Sequence, residues 1–367
     1  MPYGTINADV IQSSVSGVSL GAGNATNFKN RFINGNFTID QYNAGASITP
    51  TSGQYVIDRW FWQTSPASKF TFQQNAGSVT PPAGFTNYSG FTSTSAYSIG
   101  SGDYFLCAQK IEGLNIADLG WGTANAKTIT ISAWVRSSLT GTFGGVVINS
   151  AANRCYPFSY IISSANTWTQ VSITIVGDTS GTWLTTNGIG LWVRFCLGAD
   201  PTTLGTAGAW GSTNYLGPTG QVNVAQANGA TWYITGVQLE VGSLATGFEY
   251  NDYGRQLIQC QRYYTYINGV SGNWSSGTSA TYFAPLPCSL RATPTLAYSG
   301  TMNGQSQGVN TFTSTTQPSG INAFGNASGN GLPNNKIDFG ISGFNGAGTL
   351  NTTCIAFGPA ITVSAEL

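Results

Sequence analysis

Histidine is absent from all 367 residues. That removes the general base of Ser-His-Asp and Cys-His catalysis and every His-ligated metal site. Six cysteines are present, Cys107, Cys155, Cys196, Cys260, Cys288 and Cys354, and none forms a CxxC pair. Knuckle-type metal spacing is therefore missing, and the cysteines are expected to be buried free thiols of a chain folded in a reducing cytosol. Carboxylate chemistry is the one catalytic route left, because a glycosidase needs only two acids. Thirteen acidic residues are thinly spread for it, and Glu240 reads as an acid at a strand rim. Leu20-Gly-Ala-Gly-Asn24 is glycine-rich, but no Lys-Ser/Thr follows as a phosphate loop requires. It reads as a flexible joint.

Binding chemistry is better represented. Aromatic residues make up 13% of the chain and include 10 Trp. The apolar face of a sugar packs on an exposed ring while its hydroxyls meet Asn, Asp and Gln. Trp210 and Tyr215, in the Gly-, Ser- and Thr-rich stretch Gly198 to Val222, are candidates for such contacts. Trp274 and Tyr282 stand in a similar context nearer the C-terminus. The alternative at each position is a ring that caps the core or packs between subunits. Asp58, Asp103 and Asp178 are loop candidates for a structural calcium ion, although no EF-hand-like cluster accompanies them. No other cofactor is expected.

Only 7% of residues are charged, 13 basic and 13 acidic, against roughly 25% in an ordinary soluble domain. Nucleic-acid binding needs a basic patch and is not expected. Repulsion between copies is also weak, which suits self-association. Met1 to Val10 does not read as a signal peptide, and the sequence has no 18-residue apolar run, so no membrane insertion is expected.

The elements that must position these residues are short strands. Thr128 to Arg136 alternates, with Ile129, Ile131, Ala133 and Val135 on one face. Trp168 to Val176 alternates through Val171, Ile173 and Ile175. Ile189 to Leu197 separates Leu191, Val193, Phe195 and Leu197 from Trp192, Arg194 and Cys196, and Thr231 to Glu240 is similar. Residues 112–120 suggest one helical turn. Glycine, Asn and Pro clusters divide the runs. This pattern predicts an all-β chain: an N-terminal arm over 1–30, an antiparallel, jelly-roll-like β-sandwich over 31–250 and a smaller β domain over 267–367. Leu257, Ile258, Gln261 and Tyr264 at helical spacing, with Asp252 near the start, predict a short helical joint over 251–266. In the last domain, strands are expected at Ala280 to Leu286, Pro294 to Tyr298, Lys336 to Ser342 and Cys354 to Val363.

Three ordered motifs carry a resemblance. Asn30-Arg-Phe-Ile-Asn-Gly-Asn-Phe-Thr-Ile-Asp-Gln-Tyr-Asn-Ala-Gly-Ala46 is followed by Tyr55-Val-Ile-Asp-Arg-Trp60. Tyr233-Ile-Thr-Gly-Val-Gln-Leu-Glu240, continuing to Glu249, then leads into Leu257-Ile-Gln-Cys-Gln-Arg-Tyr-Tyr264. This order resembles phage and prophage fibre-like proteins, of tail-fibre or head-fibre type, with a sandwich like a carbohydrate-binding module. Gly4-Thr-Ile-Asn-Ala-Asp-Val-Ile-Gln12 is similar to members from marine and cyanobacterial phages. The resemblance covers most of residues 1–264 and brings no catalytic residues. It implies a non-enzymatic virion subunit, made in the host cytoplasm and exposed on the particle. Such a subunit would be a homotrimer, bound to other virion proteins through its N-terminal arm and adhering to host surface polysaccharide. A capsid decoration protein without receptor binding, and a glycan-degrading spike, are the other readings of the same residues.

Overall fold

The computed structural model describes residues 28–306, 310–324, 336–345 and 352–367. The arm expected over 1–30 and the joint expected at Leu20 to Asn24 therefore lie outside the described residues, apart from Phe28 to Asn30. Two compact units follow one another, divided between Asn251 and Asp252. Among the described residues no helix is long and apolar enough to cross a membrane.

The first unit contains β1 (Tyr55–Ile57), β2 (Trp60–Thr64), β3 (Phe70–Gln74), β4 (Ser89–Ser93), β5 (Tyr104–Glu112), β6 (Ile129–Ser137) and β7 (Gly141–Asn149). It continues with β8 (Cys155–Ile162), β9 (Thr169–Ile175), β10 (Ile189–Ala199), β11 (Leu204–Gly205), β12 (Gly217–Pro218) and β13 (Thr231–Val241). A six-stranded sheet runs β1-β2-β5-β10-β7-β8 and a five-stranded sheet runs β3-β4-β13-β6-β9. All pairings inside these two sheets are antiparallel. The pair β11-β12 is parallel. The turn expected near 112–120 is a pair of 3-10 turns, Gly113–Asn115 and Ala117–Leu119.

Alternation decides which side chains fill the space between the sheets. On β10, Leu191, Val193, Phe195 and Leu197 enter the core, while Cys196 and Trp192 join smaller clusters on the outer side. Large rings bridge the layers. Trp62 of β2 stacks on Phe91 of β4 at 4.8 Å, and Phe195 of β10 meets Trp232 of β13 at 5.7 Å. Burial of such rings, each removing a large apolar area from water, is the main stabilising term of this unit.

β13 departs from simple alternation. Trp232 and Ile234 point into the core, and so do Val237 and Leu239. The parity changes because the register with β6 shifts between Thr235 and Gln238. Gly236 sits there at φ +61°, a left-handed conformation that glycine adopts without strain. This is a β-bulge: one extra residue lets both halves of a central strand face inward.

The second unit opens on α1 (Tyr253–Gln261), where the Asp252 side chain accepts from the Arg255 N–H at 2.9 Å as the N-cap. Of the stretch 251–266 expected to be helical, Tyr264, counted in that spacing, instead opens a strand, and the helix covers Tyr253–Gln261. Cys260 on it is buried, and just past its end the Arg291 N–H donates to Arg262 O at 3.0 Å. The strands are β14 (Tyr264–Ile267), β15 (Val270–Ser276), β16 (Ser279–Pro285), β17 (Thr295–Ala297) and β18 (Met302–Ser306). They continue with β19 (Asn310–Ser314), β20 (Ser319–Phe324), β21 (Lys336–Ile341), β22 (Thr353–Phe357) and β23 (Ile361–Ser364). A three-stranded sheet runs β14-β23-β17 and a seven-stranded sheet runs β19-β18-β22-β15-β16-β21-β20. The run Cys354 to Val363, expected as one strand, is two strands in different sheets. Gly358, at φ +144° between them, makes the break.

The aromatic bridge yields a stability prediction. Trp62→Ala removes a ring that touches Phe70, Phe91 and Phe105 and should cost about 3–5 kcal/mol. Denaturant unfolding should show a lower midpoint for the first unit; a change under about 1 kcal/mol would contradict this placement of the core.

Candidate binding cleft

The outer face of the five-stranded sheet is built from residues that strand alternation turns away from the core. On β6 these are Ser132, Trp134 and Arg136, and on β9 they are Gln170, Ser172 and Thr174. Trp134 stands directly opposite Gln170 on β9 and Thr235 on β13. Trp134 is half-buried and Gln170 is exposed.

Two covering segments leave this patch open between them. Residues 75–88 fold over the β4 side. Tyr88 donates its hydroxyl to Ala76 O at 2.5 Å and accepts from Val79 N–H at 2.9 Å. Its ring packs on Tyr233 at 5.2 Å, and Trp168 meets its edge at 5.5 Å. Burial pushes the Tyr88 hydroxyl pKa up, so it stays a neutral donor.

Residues 243–250 cover the other side. Glu240 accepts from Gln238 Nε2 at 2.9 Å, Thr246 N–H at 2.8 Å and Thr246 Oγ1 at 2.7 Å. Glu249 accepts from the backbone N–H of Phe28 at 3.0 Å and of Asn30 at 2.6 Å, and its own N–H donates to Gln238 Oε1 at 2.8 Å. These bonds hold the segment where Phe248 and Tyr250 meet Phe85. The ring centroids lie 5.2 Å apart for Phe85–Phe248, 5.7 Å for Phe85–Tyr250 and 5.0 Å for Phe248–Tyr250. Tyr250 is 56% exposed and donates its hydroxyl to Gly84 O at 3.0 Å. Phe85 lies over the bulge: a Cβ at Gly236 would come within 2.6 Å of its ring.

The result is a cleft of about 120 Å³ walled by Phe85, Trp134, Phe248 and Tyr250, with Ser132, Gln170 and Thr246 as polar lining. It is smaller than the several hundred Å³ typical of enclosed small-molecule sites. It suits a ring lying against the surface. No lining side chain is charged. Aromatic faces beside hydroxyls and an amide can stack an apolar ring face and hydrogen-bond its substituents.

The residues singled out in the sequence lie elsewhere. Trp210 is half-buried at the centre of an aromatic cluster, 5.3 Å from Trp121, 5.5 Å from Trp183 and 5.1 Å from Tyr156. Its indole N–H donates to Val176 O at 2.8 Å. Tyr215 is half-buried and folds onto Gly205, where a Cβ would lie 2.4 Å from its ring. Both rings are engaged in packing, Trp210 in T-shaped contacts with its three aromatic neighbours and Tyr215 against Gly205. Trp274 and Tyr282 are fully buried in the second unit, at 0% exposure each, because the alternation of β15 and β16 turns them inward with Val270 and Ala280. Neither can stack a sugar, which corrects the expectation.

The calcium candidates are also occupied by internal donors. Asp58 accepts from Gln41 N–H at 2.6 Å and Gln41 Nε2 at 2.5 Å. Both Asp178 oxygens take Arg154, from Nε and from Nη2, at 2.7 Å each. Asp103 accepts from Ser65 Oγ at 2.9 Å, Tyr97 OH at 2.7 Å and Gly100 N–H at 2.8 Å. Oxygens that already face protons are poorly placed for a cation. No cluster of three or more His, Cys, Asp or Glu with metal-holding geometry occurs among the described residues.

Comparison with known proteins finds no matching family model and no matching curated protein. Among solved structures, the enzymatically active domain of tailspike protein 4 of bacteriophage CBA120 is similar at a TM-score of 0.32 and 12% identity, over 58% of this chain and 21% of that one. The match thus spans about a fifth of the tailspike chain. A putative sugar binding protein from Bacteroides thetaiotaomicron matches over 58% of this chain and 99% of its own, at 12% identity and a TM-score of 0.32. A family 11 carbohydrate-binding module of a Clostridium thermocellum cellulosomal cellulase matches over 56% of this chain and 99% of its own, at 12% identity and a TM-score of 0.27.

The aspartates can be tested in two ways. Adding calcium or a chelator should leave the melting temperature unmoved, and a calcium-dependent rise would restore a cation site. The Tyr97 hydroxyl and the Gly100 N–H hold the Asp103 carboxyl below the usual range. A lowered carboxylate pKa contributes stability that is present above pH ~4 and lost as pH falls through the folded value. Tyr97→Phe should therefore raise the midpoint of acid unfolding; an unchanged midpoint would show that this bond is not linked to folding.

Proposed function

We propose that this chain is a non-enzymatic, glycan-binding structural subunit of a bacteriophage particle. Its first unit binds an uncharged saccharide in the Phe85–Trp134–Phe248–Tyr250 cleft. The observation that carries the binding half is the cleft itself: four aromatic rings beside Ser132, Gln170 and Thr246, with no charged lining side chain. A neutral sugar offers what those groups complement, an apolar ring face and hydroxyls. An acidic polysaccharide would find no cation in the lining.

The particle half rests on the ordered motifs from Asn30 to Tyr264 that resemble phage fibre-like proteins. In this reading, residues 1–30 anchor the subunit to other virion proteins and the two β units face outward.

The non-enzymatic reading is supported by chemistry. Histidine is absent from the sequence. Burial pushes the thiols of Cys155 and Cys196 up to about 11, so they remain protonated rather than nucleophilic. Glu240 and Glu249, whose bonds hold the 243–250 wall of the cleft, have their oxygens engaged with the chain's own N–H and O–H groups.

Glycan-array screening followed by calorimetry tests the binding. Trp134→Ala and Tyr250→Ala should each weaken binding of a neutral glycan by about tenfold, the worth of ~1.4 kcal/mol of stacking, while circular dichroism stays unchanged. Affinity should vary little with salt, since no ion pair is made. Full affinity in both variants, or cleavage of the glycan by purified protein, would overturn the proposal.

A further inference from the structure

The cleft of the first unit holds about 120 Å³. A water molecule takes about 30 Å³ in the liquid, so this is room for about four heavy atoms with their hydrogens. A whole sugar ring with its hydroxyls is far larger. It must rest on the rim, where the Tyr250 ring is exposed, and only one substituent can enter.

The polar groups of the lining narrow the choice of substituent. Thr246 is already engaged: its hydroxyl donates to Glu240 Oε2 and accepts from Lys29 Nζ, at 2.7 Å each. The Tyr250 hydroxyl donates to Gly84 O at 3.0 Å. That leaves the Gln170 amide, the Ser132 hydroxyl and the Trp134 indole N–H, which have no hydrogen-bond partner among the described residues. The three are neighbours on the outer face. Trp134 pairs with Gln170 across β6 and β9, and Ser132 lies two residues before Trp134 on the same strand.

Gln170 supplies a carbonyl oxygen and an NH₂, Ser132 a hydroxyl and Trp134 one N–H donor. Beside them stand the rings of Phe85, Phe248 and Tyr250. A carboxylate entering here would meet no cation in the lining. A hydroxyl would fill a fraction of the room and bring no carbon to the rings. An acetamido group is a nitrogen, a carbonyl and a methyl, which matches the room. Its N–H donates to Gln170 Oε1, and its carbonyl oxygen accepts from Ser132 or Trp134. Each polar atom taken from water then has a partner, and the methyl leaves water against the aromatic walls.

We propose that the cleft selects N-acetylated sugars by taking up the acetamido group, with Gln170 as the residue that sets this specificity. The inference rests on the glycan-binding reading of the first unit and adds to it the class of sugar.

The test uses the full chain and matched pairs of glycans that differ only in bearing an acetamido group or a hydroxyl. Chito- against cello-oligosaccharides, and N-acetylgalactosamine against galactose glycans, are such pairs. An array finds the pair bound best, and calorimetry measures both members. The acetamido member should bind about tenfold more tightly or better. Gln170 is exposed on a sheet face, so Gln170→Ala should fold normally and bring the ratio of the two affinities close to unity. A merely structural loss would weaken both members and keep the ratio. Lengthening the acetyl to a butanoyl group should also remove the preference, because the added carbons exceed the room. Equal affinities within every pair, or a ratio that Gln170→Ala leaves unchanged, would overturn the inference while leaving a neutral-glycan cleft in place. Binding to no glycan at all would overturn both.

Discussion

One extra residue in β13 shapes the first unit. β13 lies between β4 and β6 in the five-stranded sheet, so its inward residues decide whether that layer can seal the core. Without the bulge at Gly236, Trp232 and Ile234 would face the core and Val237 and Leu239 would face water. With it, all four are buried. The same left-handed glycine leaves a shallow place on the outer face into which Phe85 settles, and Phe85 in turn holds Phe248 and Tyr250. Core and cleft thus depend on one backbone irregularity.

The paucity of charge has a structural counterpart. With few ions available, buried polar groups are satisfied by amides, hydroxyls and main chain. Asn30 donates to Val237 O and accepts from Leu239 N–H, and Gln109 exchanges a reciprocal pair of hydrogen bonds with the backbone of Ile33. Among the buried charged groups, Asp178 takes Arg154 on both oxygens, whereas Arg194 Nε and Asp338 Oδ1 have no hydrogen-bond partner among the described residues.

The fold was largely legible along the chain. The alternating runs around Ile129, Val171 and Leu191 are β6, β9 and β10 within a residue or two. Helical spacing from Asp252 onward is α1. The break at Gly358 was not legible, because a strand that ends and a strand that continues past a glycine have the same apolar pattern. The rings of the cleft were harder still. Trp210, Tyr215, Trp274 and Tyr282 sit among Gly, Ser and Thr, yet that setting describes a strand or a folded-back loop as well as an exposed one. One signal for Trp134 was available: the run Ile129, Ile131, Ala133, Val135 places an even-numbered tryptophan on the polar face of its strand. Phe85, Phe248 and Tyr250 carry no such signal, since they come from separate loops.

What the sequence by itself determined is local: strand periodicity, a helix start at Asp252, thiols without metal spacing, and the exclusion of imidazole chemistry. These follow from residue types and from spacing along one segment. What only the tertiary structure decided is which aromatic rings remain accessible. A ring's exposure depends on what segments distant in sequence lay over it, as residues 75–88 and 243–250 do around Trp134. It depends as well on the parity of each strand, which a single bulge reverses.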